Sequence, residues 1–272
     1  MSTHSEKCET FLALHRGATP LLLPNAWDRG TAKLFEFMGF SAIATTSGGH
    51  AATLGRPDGG VTLDEVVEHA AALSGEVGIP VNVDFENGFA DEPAAVATNV
   101  ALIAATGAAG VSVEDFRRSD DDPIYEVAAA TARVEAAAAA AHGSTGSGGR
   151  LVLTARCENY LHGRPDLADT ITRLQADQAG ADVLYAPGVQ ELDDIRTILA
   201  AVDLPINVLA LPNTAPVAEL GAAGVRRISV GGGFNRVALG ATVTAAQEFL
   251  ERGTYGFWSV AAAAAPVRDA FR

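Results

Sequence analysis

The stretch Gly107-Ala108-Ala109-Gly110-Val111-Ser112-Val113-Glu114-Asp115 holds a helix end, a strand and two rim acids in succession. A glycine past a helix end supplies the left-handed cap that turns the chain. The apolar, β-branched run after it suits a strand buried on both faces. Similar helix ends, Met38-Gly39-Phe40, Gly180-Ala181-Asp182 and Gly221-Ala222-Ala223-Gly224, stand before three other strands. Working outward, strands are predicted at Leu21–Leu23, Ala42–Thr45, Val81–Asp84, Gly110–Glu114, Leu151–Ala155, Val183–Tyr185, Ile206–Leu209 and Arg227–Val230. A helical pattern follows each, at Gly30–Met38, Leu63–Glu76, Pro93–Thr106, Ile124–Ala141, Asp166–Ala179, Glu191–Ala201, Thr214–Ala222 and Asn235–Arg252. Eight such units predict an α/β fold of the closed (β/α)8 TIM-barrel type. An open doubly wound sheet is the runner-up, but no GxGxxG follows the first strand. The expected organisation is one domain over residues 1–272, with a barrel core of about residues 20–252 and a C-terminal extension over 253–272. The segment His142–Gly149 reads as a spacer on the N-terminal face.

Composition narrows the function. Among 272 residues, 33 acidic side chains oppose 19 basic ones, for a formal net charge of −14. That balance argues against a nucleic-acid partner, which requires clustered Lys and Arg. No run of 18 or more apolar residues is present, so no membrane partner is expected. Two cysteines, Cys8 and Cys157, make no disulfide framework, and the first residues lack a signal-peptide core, so a cytoplasmic location is expected.

Barrel chemistry sits at the C-terminal ends of the strands. Those ends carry Pro24-Asn25-Ala26-Trp27-Asp28, Thr46-Ser47-Gly48-Gly49-His50, Asp84-Phe85-Glu86, Glu114-Asp115, Arg156-Cys157-Glu158, Tyr185, Asn213 and Gly231-Gly232-Gly233. Period-two geometry puts Asp84 and Glu86 on one inward side, and likewise Arg156 and Glu158. Several inward acids around one opening call for a cation. Oxygen donors without a His/Cys cluster suit Mg2+, with Mn2+ as the second choice. Arg156 can grip a carboxylate in bidentate fashion. Backbone N–H groups in Thr46–Gly49 can cradle an oxyanion. Plainer roles compete: Arg156 as a structural ion pair, Asp58 as a turn residue, His50 as a packing histidine, and Cys157 as an inert buried thiol.

Taken together, Pro24–Asp28, Thr46–Gly49, Leu54-Gly55-Arg56-Pro57-Asp58, Asp84-x-Glu86-x-Gly88, Val113-Glu114-Asp115, Thr154-Ala155-Arg156-x-Glu158 and Leu220–Val225 resemble the isocitrate lyase/phosphoenolpyruvate mutase superfamily, over roughly Leu21 to Phe257. The resemblance implies a Mg2+-dependent enzyme that makes or breaks a C–C or C–P bond beside a pyruvate-type enolate, on a small 2-oxo or 2-hydroxy carboxylate. It implies Asp84 as the metal anchor, with Asp58, Glu86 and Glu114 as further or water-mediated metal partners. It also implies Arg156 as the carboxylate clamp and Ser47, Gly48 and Gly49 as the hold on the pyruvyl oxygens. Arg156, Glu114, Asp58 and His50 are the expected catalytic residues. Trp27, Thr46, Ser47, Gly48, Gly49, Arg156, Tyr185 and Asn213 are the expected substrate contacts.

One departure stands out. Lyases of the family carry Lys-x-Cys-Gly-His after the fourth strand, where this chain reads Phe116-Arg117-Arg118-Ser119-Asp120-Asp121-Asp122-Pro123. That departure argues against isocitrate-type cleavage by a cysteine acid, and leaves specificity to Arg117, Arg118, His50, Tyr185 and Asn213. Asp120–Asp122 reads as a solvated turn. A 2-oxo acid decarboxylase, a phosphonopyruvate-type hydrolase and a catalytically idle 2-oxo-acid-binding barrel are the alternatives. Family relatives exchange a terminal helix between subunits, so a homodimer or homotetramer is expected.

Overall fold

The computed structural model describes residues 2–117, 123–143 and 149–272. Its strands are β1 (Leu21–Leu23), β2 (Asn25–Ala26), β3 (Ile43–Thr45), β4 (Val81–Asp84), β5 (Gly110–Glu114), β6 (Val152–Arg156), β7 (Val183–Tyr185), β8 (Ile206–Leu209) and β9 (Arg227–Ser229). The helices are α1 (His4–Leu14), α2 (Arg29–Phe37), α3 (Ser47–Thr53), α4 (Leu63–Glu76), α5 (Pro93–Ala104), α6 (Val127–His142), α7 (Leu167–Asp177), α8 (Leu192–Ala201), α9 (Val217–Ala223), α10 (Gly233–Arg252), α11 (Trp258–Ala261) and α12 (Val267–Ala270).

All pairing between these strands is parallel, in the order β1-β9-β8-β7-β6-β5-β4-β3-β2. The two end strands are halves of one: β1 pairs with β9, and after Pro24 the chain continues as β2, which pairs with β3. Proline has no N–H to give the ladder, so the first strand breaks there while the ring still closes around it. Eight strand positions make the expected (β/α)8 barrel, each within a residue or two of its predicted place.

Besides α11 and α12 in the C-terminal extension, two helices fall outside the eight predicted. The first, α1, crosses the N-terminal mouth and buries Phe11 and Cys8. Gly110 is required beneath it, because a Cβ there would lie 2.6 Å from the Phe11 ring. The second, α3, starts at the rim loop after β3. Its Gly48-Gly49 pair disfavours helix, but the Thr46 side chain caps it by accepting the Gly49 N–H. Of the four glycine-marked helix ends, Gly39, Gly107 and Gly224 take the left-handed conformation. Gly180 does not; a Cβ there would stand 3.0 Å from that of Ala138, so it serves the close approach of α6.

One helix departs from barrel geometry. Along α10 only Asn235 is buried, while Val237, Leu239, Val243, Phe249 and Leu250 are exposed. Leu22, on the outward side of β1, is 43% exposed. No helix among the described residues covers it as a barrel strand is normally covered. Residues 118–122 and 144–148, which include the predicted turn and most of the predicted spacer, lie outside the described residues.

Candidate active site

The strand ends turn the carboxylates to one point. Arg156, the last residue of β6, donates from Nη1 to Asp84 Oδ1 at 2.5 Å. Its Nη2 lies 3.0 Å from Glu114 Oε2 and 2.9 Å from Glu158 Oε1, and its Nε donates to Glu158 at 2.9 Å. Burial alone would lower the Arg156 pKa; Glu158, Glu114 and Asp84 together hold it well above its ordinary value. Three carboxylates share one guanidinium, and Glu114 takes the consequence. Burial first, opposed by Arg156 but reinforced by Glu158, Asp84 and Asp115, raises its pKa well above the usual carboxylate range. Tyr185 lies beneath the guanidinium, 5.5 Å from its ring centre. Burial pushes its phenol up to about 12.

Asp84 is oriented a second time, accepting the Ser47 N–H at Oδ2, 2.9 Å. Asp58 belongs to the same site although it is exposed: a Cβ at Gly48 would come 3.0 Å from its Oδ2, so glycine permits its approach. Glu86 is buried and has φ of +49°, a left-handed conformation uncommon for a side chain of this kind. Its loop is clamped by buried Arg133 of α6, which donates to the carbonyls of Ala90 at 2.5 Å, Asp91 at 2.6 Å and Asn87.

Two cavities with shared lining residues open at this point. The outer one, about 520 Å3, is lined by Ser47, Asp58, Glu86, Glu114, Phe116, Arg156, Glu158 and His162, among others. The inner one, about 430 Å3, shares Ser47, Asp58 and Arg156. It continues past Thr46, Asp84 and Tyr185 to Asn207, Arg227 and Gly231–Gly233. Two larger grooves, about 640 and 630 Å3, lie on the N-terminal side and hold none of the rim carboxylates. Charge convergence, not volume, marks the candidate site.

Most of the predicted residues meet here; others do not. Of the N–H groups in the Thr46–Gly49 cradle, Ser47 is committed to Asp84 and Gly49 to Thr46. Of this segment Thr46 and Ser47 line the cavities, whereas Gly48, packed against Asp58, lines neither. Gly49 is a packing glycine, since a Cβ would stand 2.5 Å from Thr46 Cγ2 and 2.9 Å from the Trp27 Cβ. Trp27 lies behind it and lines neither cavity. His50 is stacked on His69 at 3.8 Å and also lines neither; burial lowers both imidazole pKa values, that of His69 to about 4. Asn213 is exposed beyond β8. Arg117 turns to the Tyr125 ring, 5.2 Å away, and Arg118 lies outside the described residues. Cys157 points outward, buried, with Sγ 3.2 Å from Asn159 Oδ1.

Sequence reading passed over His162, stacked on Phe116 at 3.8 Å over the outer cavity. It also passed over Arg227, whose strand alternation with Ser229 was the available signal.

Among the described residues no three His, Cys, Asp or Glu side chains form a ready metal-binding group. The donor chemistry still fits one hard cation. Mg2+ is held by one or two carboxylates, with water completing its octahedron. Asp84 is the best-oriented anchor, and Asp58, Glu86 and Glu114 line the space around it.

A profile of the phosphoenolpyruvate phosphomutase family matches residues 11–250. An uncharacterised protein of Mycobacterium tuberculosis is 34% identical over 82% of this chain and 81% of its own length. The 2-methylisocitrate lyase of Escherichia coli is 31% identical over 76% of this chain and 70% of its own. The oxaloacetate decarboxylase of Paraburkholderia xenovorans is 31% identical over 68% and 62%. Among solved structures, a protein of Burkholderia cenocepacia J2315 provisionally classed as a lyase/mutase superposes with a TM-score of 0.92. It is 45% identical over 99% of this chain and 95% of that one.

Proposed function

The chain belongs to the phosphoenolpyruvate mutase/isocitrate lyase superfamily, and from that premise we propose a Mg2+-dependent enzyme that forms or breaks a C–C or C–P bond in a small 2-oxo or 2-hydroxy carboxylate. The observation that carries this is the meeting of Asp84, Glu114 and Glu158 on Arg156, with Ser47 holding Asp84 from the other side. When bound at Asp84, Mg2+ supplies Lewis-acid stabilisation of negative charge developing on the substrate.

The protein's own groups do the rest. Arg156 is charged throughout the working pH range, and its guanidinium fixes a substrate carboxylate beside the rim acids. The Ser47 hydroxyl donates to the oxygen on which enolate charge gathers. Glu114, which retains its proton more readily than an ordinary carboxylate, is the group placed to deliver one.

A second reading, 2-oxo acid decarboxylation, is favoured by the stretch Phe116–Pro123, which has no Cys, His or Lys to serve as a lyase acid. In that reaction the bond to the departing carboxylate breaks and CO2 leaves. The electron pair remains as an enolate, which takes a proton at carbon. Similarity to an oxaloacetate decarboxylase supports it.

Calorimetry with oxalate, a mimic of the pyruvate enolate, tests the common core of both readings. Binding that requires Mg2+, and is lost in Asp84→Ala and in Arg156→Met, is the expected result. Metal-independent binding, or binding indifferent to both substitutions, overturns it. A turnover panel of oxaloacetate, phosphonopyruvate and 2-methylmalate-type acids then separates the two reactions. The same proposal includes a homo-oligomer, dimer or tetramer, in which α10 of one copy covers the exposed side of β1 in another.

A further inference from the structure

Inside the barrel, polar side chains descend in one diagonal row. Parallel pairing sets Glu114 beside Arg156, Arg156 beside Tyr185, Tyr185 beside Asn207 and Asn207 beside Arg227. Glu114, Arg156 and Tyr185 are the last residues of their strands, whereas Arg227 is the first of β9. The row therefore runs from the catalytic rim to the barrel floor. Four neighbouring strands about 4.8 Å apart separate Arg156 from Arg227 by roughly 14 Å along the sheet. The same inner cavity is lined by both.

The two arginines are treated differently. Arg156 is surrounded by three carboxylates. Arg227, only 2% exposed, pairs with none among the described residues. Its Nη1 donates to His15 Nε2 at 3.3 Å, and its Nε has no partner. His15 brings no negative charge. Its Nδ1 donates to the Phe11 carbonyl at 2.7 Å, and burial, with Arg227 beside it, pushes its pKa down to about 3. Burial likewise lowers Arg227 itself, to about 9, with Tyr185 opposing and Arg156 reinforcing that shift. Beside it, Asn207 donates to Ser229 Oγ at 2.9 Å and leaves Oδ1 unpartnered. A buried guanidinium without a counter-charge is costly to keep. Arg227 lines a cavity that reaches the reacting end.

We infer that Arg227, with Ser229 beside it, forms an anion seat on the barrel floor that receives a second carboxylate of the substrate. This rests on the reading above for the rim and adds the place where the second anionic end of such an acid sits. One end lies at Arg156 and Asp84, and the other reaches down the cavity. The fork of Arg227 matches a carboxylate. A small resident inorganic anion shares that chemistry and is the competing occupant.

The test is calorimetry of glutarate against pentanoate, which differ by one carboxylate, on the whole protein in chloride-free buffer with Mg2+, alongside oxalate. The wild type is expected to favour glutarate by about tenfold. In Arg227→Met the preference should fall within about twofold while oxalate affinity is kept, and the loss of a buried charge should leave the fold intact. Arg227→Lys keeps the charge without the fork, and should retain a preference of about threefold. A wild-type preference surviving in both variants overturns the inference. So does a preference abolished in the wild type by added chloride, which would assign the seat to a resident anion. Should the wild type show no Mg2+-dependent oxalate binding and yet prefer glutarate through Arg227, the seat stands and the reaction reading at the rim fails.

Discussion

Asp177 is a carboxylate buried at the last turn of α7, where the helix's own carbonyls already place negative charge. Burial, then the neighbouring Asp115, raises its pKa to about 7, with Arg173 opposing. Between the ordinary carboxylate pKa and 7 the folded protein holds a proton that the unfolded chain has lost. Stability therefore falls as pH rises through that window and levels off above it. The cost at pH 8 is up to about 4 kcal/mol. Asp177→Asn is expected to raise the melting temperature by several degrees at pH 8 and to leave it nearly unchanged at pH 4.5. Equal shifts at both values would show that the aspartate is not the source. At this same scale the candidate site was partly legible. Asp84, Glu114 and Arg156 could be read because strand alternation and strand ends give both direction and height in a barrel. His50 and Trp27, expected at the site, line neither cavity, because chain proximity to the rim does not say which side a short helix presents. Arg227 was legible by alternation alone, but its partnerless state depends on what the other strands bring to the floor.

At the scale of elements, the loop after β4 shows how a distant helix shapes the site. Arg133 interrupts the Ala-rich run of α6, and in sequence it says only that the helix does not suit lipid. In the fold its guanidinium spans three carbonyls of the Asn87–Asp91 loop and lies 4.2 Å from the centre of the Tyr125 ring. That clamp holds the turn in which Glu86 adopts its left-handed backbone. Arg133→Met removes all three bonds and leaves carbonyls without partners, at a cost of about 3 kcal/mol or more. Scanning calorimetry should register a loss of roughly 6–12 °C for a chain of this size. Hydrogen exchange should speed selectively in residues 85–91, since the rest of the barrel does not depend on the clamp. Uniform acceleration over all strands would instead mean that Arg133 supports the barrel as a whole. The strands and most helices were legible because each carries its own period and stop signal. The α3 helix was not, because two glycines outweigh a capping threonine in any local reading, and only the approach of Asp58 and Trp27 explains them.

For the molecule as a whole, α10 is the element that a lone barrel does not account for. Twenty residues make a helix about 30 Å long, and it exposes Val237, Leu239, Val243, Phe249 and Leu250 rather than lying over β1 and β9. Beside the uncovered Leu22 runs a groove of about 640 Å3, lined by Leu14, Leu21, Met38 and Phe40 among others. In the proposed oligomer the exposed apolar helix of one copy would cover the apolar groove of another, the self-complementary pairing expected of a symmetric dimer. Burial of each large aliphatic side chain contributes about 1.5–3 kcal/mol, so a handful suffices for a stable association. The helix also starts from Gly231–Gly233, which edge the inner cavity, so the proposed assembly would steady one wall of the site. Sedimentation of the wild type at micromolar concentration is expected to give a dimer or tetramer. The paired substitution Leu239→Glu with Val243→Glu, one turn apart on the same face, should yield a folded monomer with weakened oxalate binding. A monomeric wild type, or a doubly substituted protein that sediments as the wild type does, would leave α10 without this partner.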